Sequence, residues 1–252
     1  GTVPVLLYHA VEDDGSLIAV STKQFAWQMR WLHEHGCQVV PLGRLVAALR
    51  SHQPLPPRTV VLTFDDGFAS VYARAFPILV QYSFSATVFL VTGFCGQRND
   101  WPAQPPGVPR LPLLSWAQVA EMDRHGIEFG SHTQSHPRLD RLPAAAVESE
   151  VAGSRAVIEE RLGHAVDLFA YPYGRYDPIS RSTVGRTYAG ACTTRLGRVS
   201  CASDPLALER VDVTCLPPPL FRGVVSSWLT PYLGARRTLR QLAGIALRRT
   251  WR

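Results

Sequence analysis

The sequence predicts an α/β fold in which parallel strands, wrapped by helices, form a complete or distorted barrel. Short apolar runs alternate with amphipathic segments along the 252 residues, and the composition does not change before residue 216. Alternation of this kind is typical of parallel strands joined by helical crossovers. About seven such units favour a β/α barrel over an open doubly wound sheet, and no G-x-G-x-x-G motif indicates a dinucleotide site.

The predicted strands are short, apolar and rich in β-branched or aromatic residues. They lie at residues 4–9, 38–40, 59–63, 85–91, 127–130, 168–171, 189–193 and 208–213. The third, Thr59-Val60-Val61-Leu62-Thr63, is apolar or β-branched throughout, which indicates a buried strand.

The predicted helices fill the intervals between these strands and lie at residues 22–36, 42–49, 69–81, 115–124, 142–162 and 179–187. Phe25, Met29 and Leu32 give the first helix an apolar face at spacings of four and three. Pro77 kinks or restarts the third helix, and Ser115 caps the fourth. Residues 93–112 contain many glycines and prolines and are predicted to form a long loop, which in a compact domain is usually functional.

The net charge of +6 is carried by the end of the chain. After Asp212 there are seven arginines and no acidic residue, while the remainder has 19 basic and 20 acidic residues. A nucleic-acid-binding protein would carry its basic patch on the folded body, so no nucleic-acid partner is expected. The five cysteines contain no C-x-x-C pair, which argues against a structural zinc site. They are predicted to be mostly reduced, and the alternative is a Cys192–Cys201 bridge.

A basic extension, residues 217–252, is predicted to follow the folded body of residues 1–216. Residues 233–251 have the pattern of an amphipathic basic helix, which could pack on the barrel or dock on an anionic membrane surface. Cosedimentation with lipid vesicles, with and without residues 233–252, distinguishes these alternatives. No apolar run is long enough to span a membrane. No charged-then-apolar leader is visible, which favours a cytoplasmic or membrane-associated protein over a secreted one.

Two adjacent carboxylates follow the third strand, in Thr63-Phe64-Asp65-Asp66-Gly67. Like charges side by side are unfavourable unless their roles are separated. A metal ion can separate them by binding one carboxylate and leaving the other free as a base. The alternative is an ordinary strand-to-helix turn in which one aspartate caps the next helix.

Other strands also end in polar residues, and barrel proteins collect their functional groups at the carboxyl ends of strands. His9 ends the first strand, and His132 and His136 follow the strand at 127–130. If residues 132–136 form a helical turn, both imidazoles face the same way and can bind one metal ion. The alternative is a pair of histidines that stabilises a loop. Two histidines and one carboxylate form a recurrent hydrolytic zinc set. Asp66 can therefore be the third ligand, and Asp65 the base that deprotonates a water on the metal.

Taken together, these motifs resemble those of the NodB-type polysaccharide deacetylases, a family of metal-dependent carbohydrate esterases. The matching segments are Thr63-Phe64-Asp65-Asp66-Gly67, His132-Thr133-Gln134-Ser135-His136, Tyr171-Pro172-Tyr173-Gly174 and, for one branch of the family, Pro4-Val5-Leu6-Leu7-Tyr8-His9. The resemblance implies a distorted (β/α)7 barrel and a zinc or similar divalent ion on Asp66, His132 and His136. It also implies hydrolytic removal of an acyl group, usually acetyl, from an amide on a sugar.

Further roles are implied by the same resemblance. Asp65 would be the general base, and the backbone N–H of Tyr173 would stabilise the oxyanion, since Pro172 has no N–H. Many members have an L-x-H histidine near the carboxyl terminus as the general acid, but here no histidine follows His164. Leu7-Tyr8-His9 is an L-x-H at the other end of the chain, as in circularly permuted members such as biofilm poly-N-acetylglucosamine deacetylases. Because a closed barrel brings its first and last strands together, His9 can supply the acid. The alternative is a buried structural histidine.

One departure from the family pattern is Ala170, which stands where many members have an arginine that orients the base carboxylate. Arg210, on the last predicted strand, could replace that arginine, and Arg175 is another candidate.

Three aromatic residues are predicted to contact the substrate. Trp116 resembles the acetyl-pocket tryptophan of the family, Trp101 could stack on a sugar face, and Tyr171 belongs to the third motif. Each of them could instead be ordinary packing.

The function predicted from the sequence is a metal-dependent de-N-acetylase that acts on an N-acetylated sugar or polysaccharide. One alternative is a deformylase or deacetylase of a lipid-linked or small sugar intermediate. Another is a catalytically silent carbohydrate-binding relative. The sequence identifies neither the sugar nor the oligomeric state.

Overall fold

The computed structural model describes residues 1–102, 104 and 107–249, with side chains up to residue 239. Its strands are β1 (Val5–Tyr8), β2 (Ala10–Val11), β3 (Ala19–Val20), β4 (Gln38–Val39), β5 (Thr59–Phe64), β6 (Thr87–Leu90), β7 (Glu128–Ser131), β8 (Leu168–Ala170), β9 (Gly190–Leu196) and β10 (Leu208–Asp212). Its α-helices are α1 (Thr22–Glu34), α2 (Leu42–Arg50), α3 (Phe76–Gln81), α4 (Trp116–Arg124), α5 (Ala144–Leu162), α6 (Pro178–Thr187), α7 (Pro218–Phe221) and α8 (Leu229–Arg249). A π-helical turn, Val71–Ala75, precedes α3, so the helix restarts near Pro77 as predicted. The cysteines are free thiols, and the Cys192–Cys201 bridge is not formed.

Seven parallel strands close into a barrel. Their order around the ring is β1, β10, β9, β8, β7, β6 and β5, and the pairing of β1 with β5 completes it. Leu6 of β1 pairs with Val211 of β10 on one side and with Leu62 of β5 on the other. The short β4 pairs with the first residues of β5. The predicted (β/α)7 barrel is therefore confirmed.

Two hydrophobic clusters fill the fold. The inner one contains Val5 and Val61 from the strands together with Leu45 from α2, and the larger outer one lies between the strands and the other helices. The first amides of α2 bond to the side chains of Thr87 and Glu128, which begin β6 and β7. Helix α2 therefore closes the end of the barrel where the strands begin, and the opposite end is left for the polar residues that follow the strands.

The carboxyl-terminal segment packs on the barrel through its first turns. The ring of Phe221 in α7 lies 5.6 Å from Trp27 and 5.9 Å from Trp31 of α1. Arg237 of α8 contacts Glu209 of β10 at 2.9 Å. Helix α8 begins at residue 229, before the predicted residue 233, while the predicted domain boundary at residue 216 stays a prediction. Contact of α8 with an anionic membrane surface also stays a prediction. Within the described ranges, no helix has both the length and the apolar composition needed to cross a bilayer.

Candidate active site

Three buried side chains converge where the barrel strands end. Asp66 follows β5, and His132 and His136 follow β7. The Nε2 atoms of the two histidines lie 3.3 Å apart. Oδ1 of Asp66 lies 3.4 Å from Nε2 of His132 and 3.3 Å from Nε2 of His136. The three predicted metal ligands are thus brought together, with one donor atom of each facing the other two.

The spacing of these donor atoms fits one divalent metal ion. A tetrahedral ion with nitrogen and oxygen ligands at roughly 2.0–2.1 Å needs neighbouring ligand atoms about 3.3–3.4 Å apart. The three observed separations fall at this value, and three protein ligands leave a further position open. Two imidazoles and one carboxylate are also the donors that divalent hydrolytic ions use. The residues therefore fit a divalent metal ion.

The second nitrogen of each histidine is also bonded, which turns both Nε2 atoms toward Asp66. Nδ1 of His132 lies 2.7 Å from the carbonyl oxygen of Ala170 and donates to it when Nε2 is a ligand. Nδ1 of His136 lies 3.1 Å from the hydroxyl oxygen of Tyr173. The ring of Trp101 packs 4.3 Å from the His136 ring. Outer contacts of this kind fix the tautomer and the orientation of histidine ligands.

The loop that carries the histidines is not a helical turn, so that part of the prediction is wrong. Thr133 and His136 have φ values of 73° and 57°, in a region that non-glycine residues rarely occupy. Glu150 of α5 accepts hydrogen bonds from the backbone amides of Gln134 and Ser135. The imidazoles therefore converge because α5 holds this loop, and not because residues four apart share a helix face.

The turn after β5 sends its two carboxylates to different partners. Asp66 and Gly67 have φ values of 70° and 71°, so the backbone turns sharply at this point. The positive φ favours glycine at position 67, and a Cβ there would also lie 2.9 Å from a terminal methyl of Leu90. As a result Asp66 faces the histidines, while Asp65 faces an arginine of the last strand.

That arginine is Arg210 of β10, and it holds Asp65 in a bidentate pair. The two guanidinium nitrogens lie 2.7 and 2.6 Å from the carboxylate oxygens. Arg210 is 1% exposed and also donates to the carbonyl of Thr193 and the hydroxyl of Thr63. Burial opposes the ionised form of Asp65, but the Arg210 charge holds the pKa of that carboxyl below its usual value. Arg210 thus occupies the position suggested for it by the sequence, whereas Arg175 is exposed.

His9 lies near both carboxylates, in the connection between β1 and β2. Burial raises the pKa of Asp66, but hydrogen bonds to His132 and His136, together with the charge of His9, hold it well below its usual value. The charge of His9 also lowers the pKa of Asp65, after the larger effects of Arg210 and His132. His9 is only half-buried, so its position differs from that of a buried structural histidine.

Two of the three aromatic residues predicted to contact the substrate do not do so. Tyr171 is fully buried, and its hydroxyl donates to a backbone carbonyl at 3.1 Å. Trp101 is 3% exposed and faces His136. Both predictions are wrong, because neither ring offers a face to a sugar. Trp116 is half-buried at the start of α4, with the Arg161 guanidinium 5.5 Å from its ring. Its proposed contact with the acetyl group stays a prediction.

The turn after β8 presents Tyr173 to the metal ligands. Tyr173 has φ 59° and Gly174 has φ 64°. A side chain at Gly174 would collide with Thr194, so the turn needs glycine there. The role of the Tyr173 backbone N–H as an oxyanion donor stays a prediction. The side chain of the same residue has a separate role, because its hydroxyl bonds to Nδ1 of His136.

Replacing Tyr173 with phenylalanine should weaken metal binding about tenfold or more, since the change removes the acceptor for Nδ1 of His136. Burial raises the pKa of Tyr173 to about 12, so the hydroxyl is neutral and can accept this bond. Competition with a chromophoric chelator measures the affinity. Tyr176→Phe, at a side chain 39% exposed, is the matched control. Equal affinities in the two variants would contradict this role.

Comparison with known proteins places the chain in a family. Residues 52–187, more than half of the chain, match the family model described as polysaccharide deacetylase. YxkH of Bacillus subtilis (strain 168), a protein classed as a polysaccharide deacetylase, is 30% identical over 213 residues, which are 84% of this chain and 71% of that protein. The poly-β-1,6-N-acetyl-D-glucosamine N-deacetylase of Escherichia coli (strain K12) is 37% identical over 136 residues. That match covers 50% of this chain and 20% of the E. coli protein, so the chain spans a small part of this relative's length.

Solved structures agree with the sequence matches. The Streptococcus pyogenes deacetylase PplD, in complex with acetate, superposes with a TM-score of 0.79 at 26% identity, covering 90% of this chain and 99% of that one. IcaB from Ammonifex degensii gives a TM-score of 0.76 at 27% identity, covering 90% and 97%. Membership of the circularly permuted branch stays a prediction. The family predicted from the three motifs is confirmed, and the chain belongs to the polysaccharide deacetylases.

Proposed function

We propose that this protein is a metal-dependent hydrolase that removes N-acetyl groups from a glycan containing N-acetylglucosamine. The observation that carries the proposal is a metal-ligand set placed beside a second buried carboxylate, Asp65, which is held on a guanidinium. Two comparisons support it: a relative named as a poly-β-1,6-N-acetyl-D-glucosamine N-deacetylase and the complex of PplD with acetate.

Asp66, His132 and His136 would hold the ion, and zinc is the ion that two imidazoles and one carboxylate suit best. When bound, the ion supplies Lewis acidity that lowers the pKa of water and polarises the acetyl carbonyl. Asp66 contributes a carboxylate that stays ionised. Each histidine presents Nε2 because its Nδ1 is bonded to Ala170 or Tyr173.

Asp65 acts as the general base, taking a proton from the water that attacks the amide carbon. Arg210 is a positioning residue, because its two hydrogen bonds hold the Asp65 carboxylate ionised and in one orientation. The backbone N–H of Tyr173 stabilises the negative charge that develops on the carbonyl oxygen. These groups come from β5, from β10 and from the turn after β8, which all end at one rim of the barrel.

His9 acts as the general acid. It gives a proton to the amine nitrogen as the C–N bond breaks, so that acetate and a free amino sugar leave. This role is supported by the charge of His9, which acts on both Asp65 and Asp66. The acid and the base thus come from neighbouring strands, β1 and β5.

Acetate release from N-acetylglucosamine oligomers should require both the metal ion and Asp65. Chelation should abolish release, and added Zn²⁺ should restore it. Asp65→Asn should lower the rate about 10²–10⁴-fold while leaving the metal content unchanged, because Asp66 remains. The matched control is Glu148→Gln on the protein surface, where an exposed carboxylate pairs with Arg186. Enzymatic detection of acetate, with β-1,4- and β-1,6-linked oligomers as parallel substrates, gives the rates. Activity that survives both chelation and Asp65→Asn would rule out this mechanism.

A further inference from the structure

A cavity of about 690 Å³ lies at the end of the barrel opposite to the candidate active site. It is bounded by residues 1–3 before β1, residues 52–59 up to the start of β5, residues 198–201 after β9, and residues 225 and 227 before α8. Both β1 and β5 begin there, whereas Asp65 and the metal ligands follow the ends of strands. The volume falls within the range of small-molecule binding sites, about 300–1,000 Å³.

The cavity is lined by a buried arginine that has no carboxylate partner among the described residues. Arg198 is 7% exposed. Its terminal nitrogens donate to the carbonyls of Ser226 at 2.6 Å and Thr2 at 2.9 Å. Its Nε has no hydrogen-bond partner in the described part of the chain. Burial lowers the pKa of Arg198, the direction expected for a cation that has lost water without gaining a counter-charge. A buried cation of this kind is unfavourable until an anion pairs with it.

Among the described residues, Arg198 lacks the carboxylate partner that the guanidinium of Arg210 has. That guanidinium is also buried, but a carboxylate meets it with two short hydrogen bonds. Within the described ranges, the hydrogen-bond partners of Arg198 are two backbone carbonyls. His52 and Arg58 also line the cavity, and the described lining contains no aspartate or glutamate. The cavity therefore has a positive potential that attracts an anion.

The remaining walls are largely apolar. Leu45 and Leu49 of α2 form one side, and Val3, Leu55 and Val199 contribute to the others. A ligand that fits these walls has an apolar body as well as an anionic group. We propose that this cavity binds a small amphiphilic organic anion, with its carboxylate or phosphate group at Arg198 and its apolar part against Leu45 and Leu49. This site is separate from deacetylation and does not depend on the function proposed above.

Calorimetric titration of the full chain with octanoate and octyl phosphate tests the proposal, with octanol as the neutral counterpart. We expect the anions to bind about tenfold or more tightly than octanol, because the alcohol leaves the guanidinium without a counter-charge. Whichever anion binds more tightly identifies the head group. Arg198→Gln should lower the anion affinity about tenfold or more, while Arg44→Gln, on the exposed face of α2 outside the lining, should leave it unchanged.

A second variant keeps the test decisive if Arg198→Gln does not fold. Ala48 lines the cavity, and Ala48→Trp should fill it and remove binding while the arginine charge stays in place. The proposal is overturned if octanol binds as tightly as the anions, or if Ala48→Trp binds them as the parent does. Acetate release should be the same in Ala48→Trp and the parent, because this cavity and the catalytic rim lie at opposite ends of the barrel.

Discussion

Replacing Arg210 with methionine should lower the free energy of unfolding by about 3–5 kcal/mol, because Asp65 is left as a buried charge without its partner. The same change should reduce the rate of deacetylation by about two orders of magnitude or more, since the base loses its orientation. Denaturant unfolding measures the first effect, and acetate release measures the second. Arg210 is almost completely buried, so solvent cannot replace the guanidinium.

The pH dependence distinguishes a positioning role from a merely structural one. Burial raises the pKa of Asp65, but the charge and hydrogen bonds of Arg210, together with the charges of His132 and His9, hold it below its usual value. Removing the cation should therefore raise the pKa and move the acidic limb of the kcat/KM profile to higher pH. In the parent, a lowered pKa stabilises the folded state above the unfolded pKa, and this stabilisation is lost as the pH falls. The stability difference between parent and variant should hence be largest near neutral pH and shrink in acid.

Two control variants complete the Arg210 experiment. Arg195→Met, on β9, breaks an exposed pair with Glu209 and should change stability by about 0.5 kcal/mol or less. The double variant Arg210→Met with Asp65→Asn removes the buried carboxylate charge that Arg210→Met leaves unpaired. It should therefore regain part of the lost stability but none of the activity. If Arg210→Met alone matched the parent in both stability and rate, the pair would have no role in the reaction.

Replacing His9 with asparagine should lower acetate release from N-acetylglucosamine oligomers about 10²–10⁴-fold. An amine cannot leave without a proton, so an amide substrate depends on the general acid. Hydrolysis of 4-nitrophenyl acetate should fall much less, because its phenolate leaves without being protonated. Asp65→Asn, by contrast, should slow both substrates, since both reactions need an activated water.

The comparison of the two substrates is the decisive measurement for His9. His33→Asn, at an exposed position of α1, is the matched control and should leave both rates unchanged. If His9→Asn slowed the amide and the activated ester equally, the imidazole would not be the proton donor to the leaving group.

The fold and the metal ligands were predictable because their signals are local. Apolar runs such as Thr59-Val60-Val61-Leu62-Thr63 identify buried strands, and their alternation with amphipathic helices identifies the barrel. Asp65 and Asp66 are adjacent in the chain, and His132 and His136 are four residues apart. The sequence therefore correctly predicts that the carboxylate pair and the histidine pair form one site. It gave the wrong reason for the histidines, because the loop depends on Glu150, a distant residue on α5.

The partner of Asp65 could be identified only from the register of the barrel strands. Arg210 lies 145 residues from Asp65, so the sequence could only suggest it together with Arg175. The prediction for Tyr171 was wrong for a different reason. This residue belongs to a family motif, but its ring lies in the outer hydrophobic cluster. Trp101 lies in a loop, where no periodicity indicates which side the indole faces. Side-chain direction at the ends of strands and in loops therefore had to come from the structure.

The closure of the barrel through β1 also determines when in biosynthesis the chain can become active. The first strand pairs with both β5 and β10, so the ring stays open until nearly all of the barrel has left the ribosome. Contacts of such high sequence separation form late, because the chain entropy of a long loop must be lost first. A nascent chain that ends before Arg210 carries both catalytic motifs but lacks the cation that Asp65 needs. Hydrolytic competence is therefore a property of the completed barrel and arises only once β10 has been synthesised and has paired with β1.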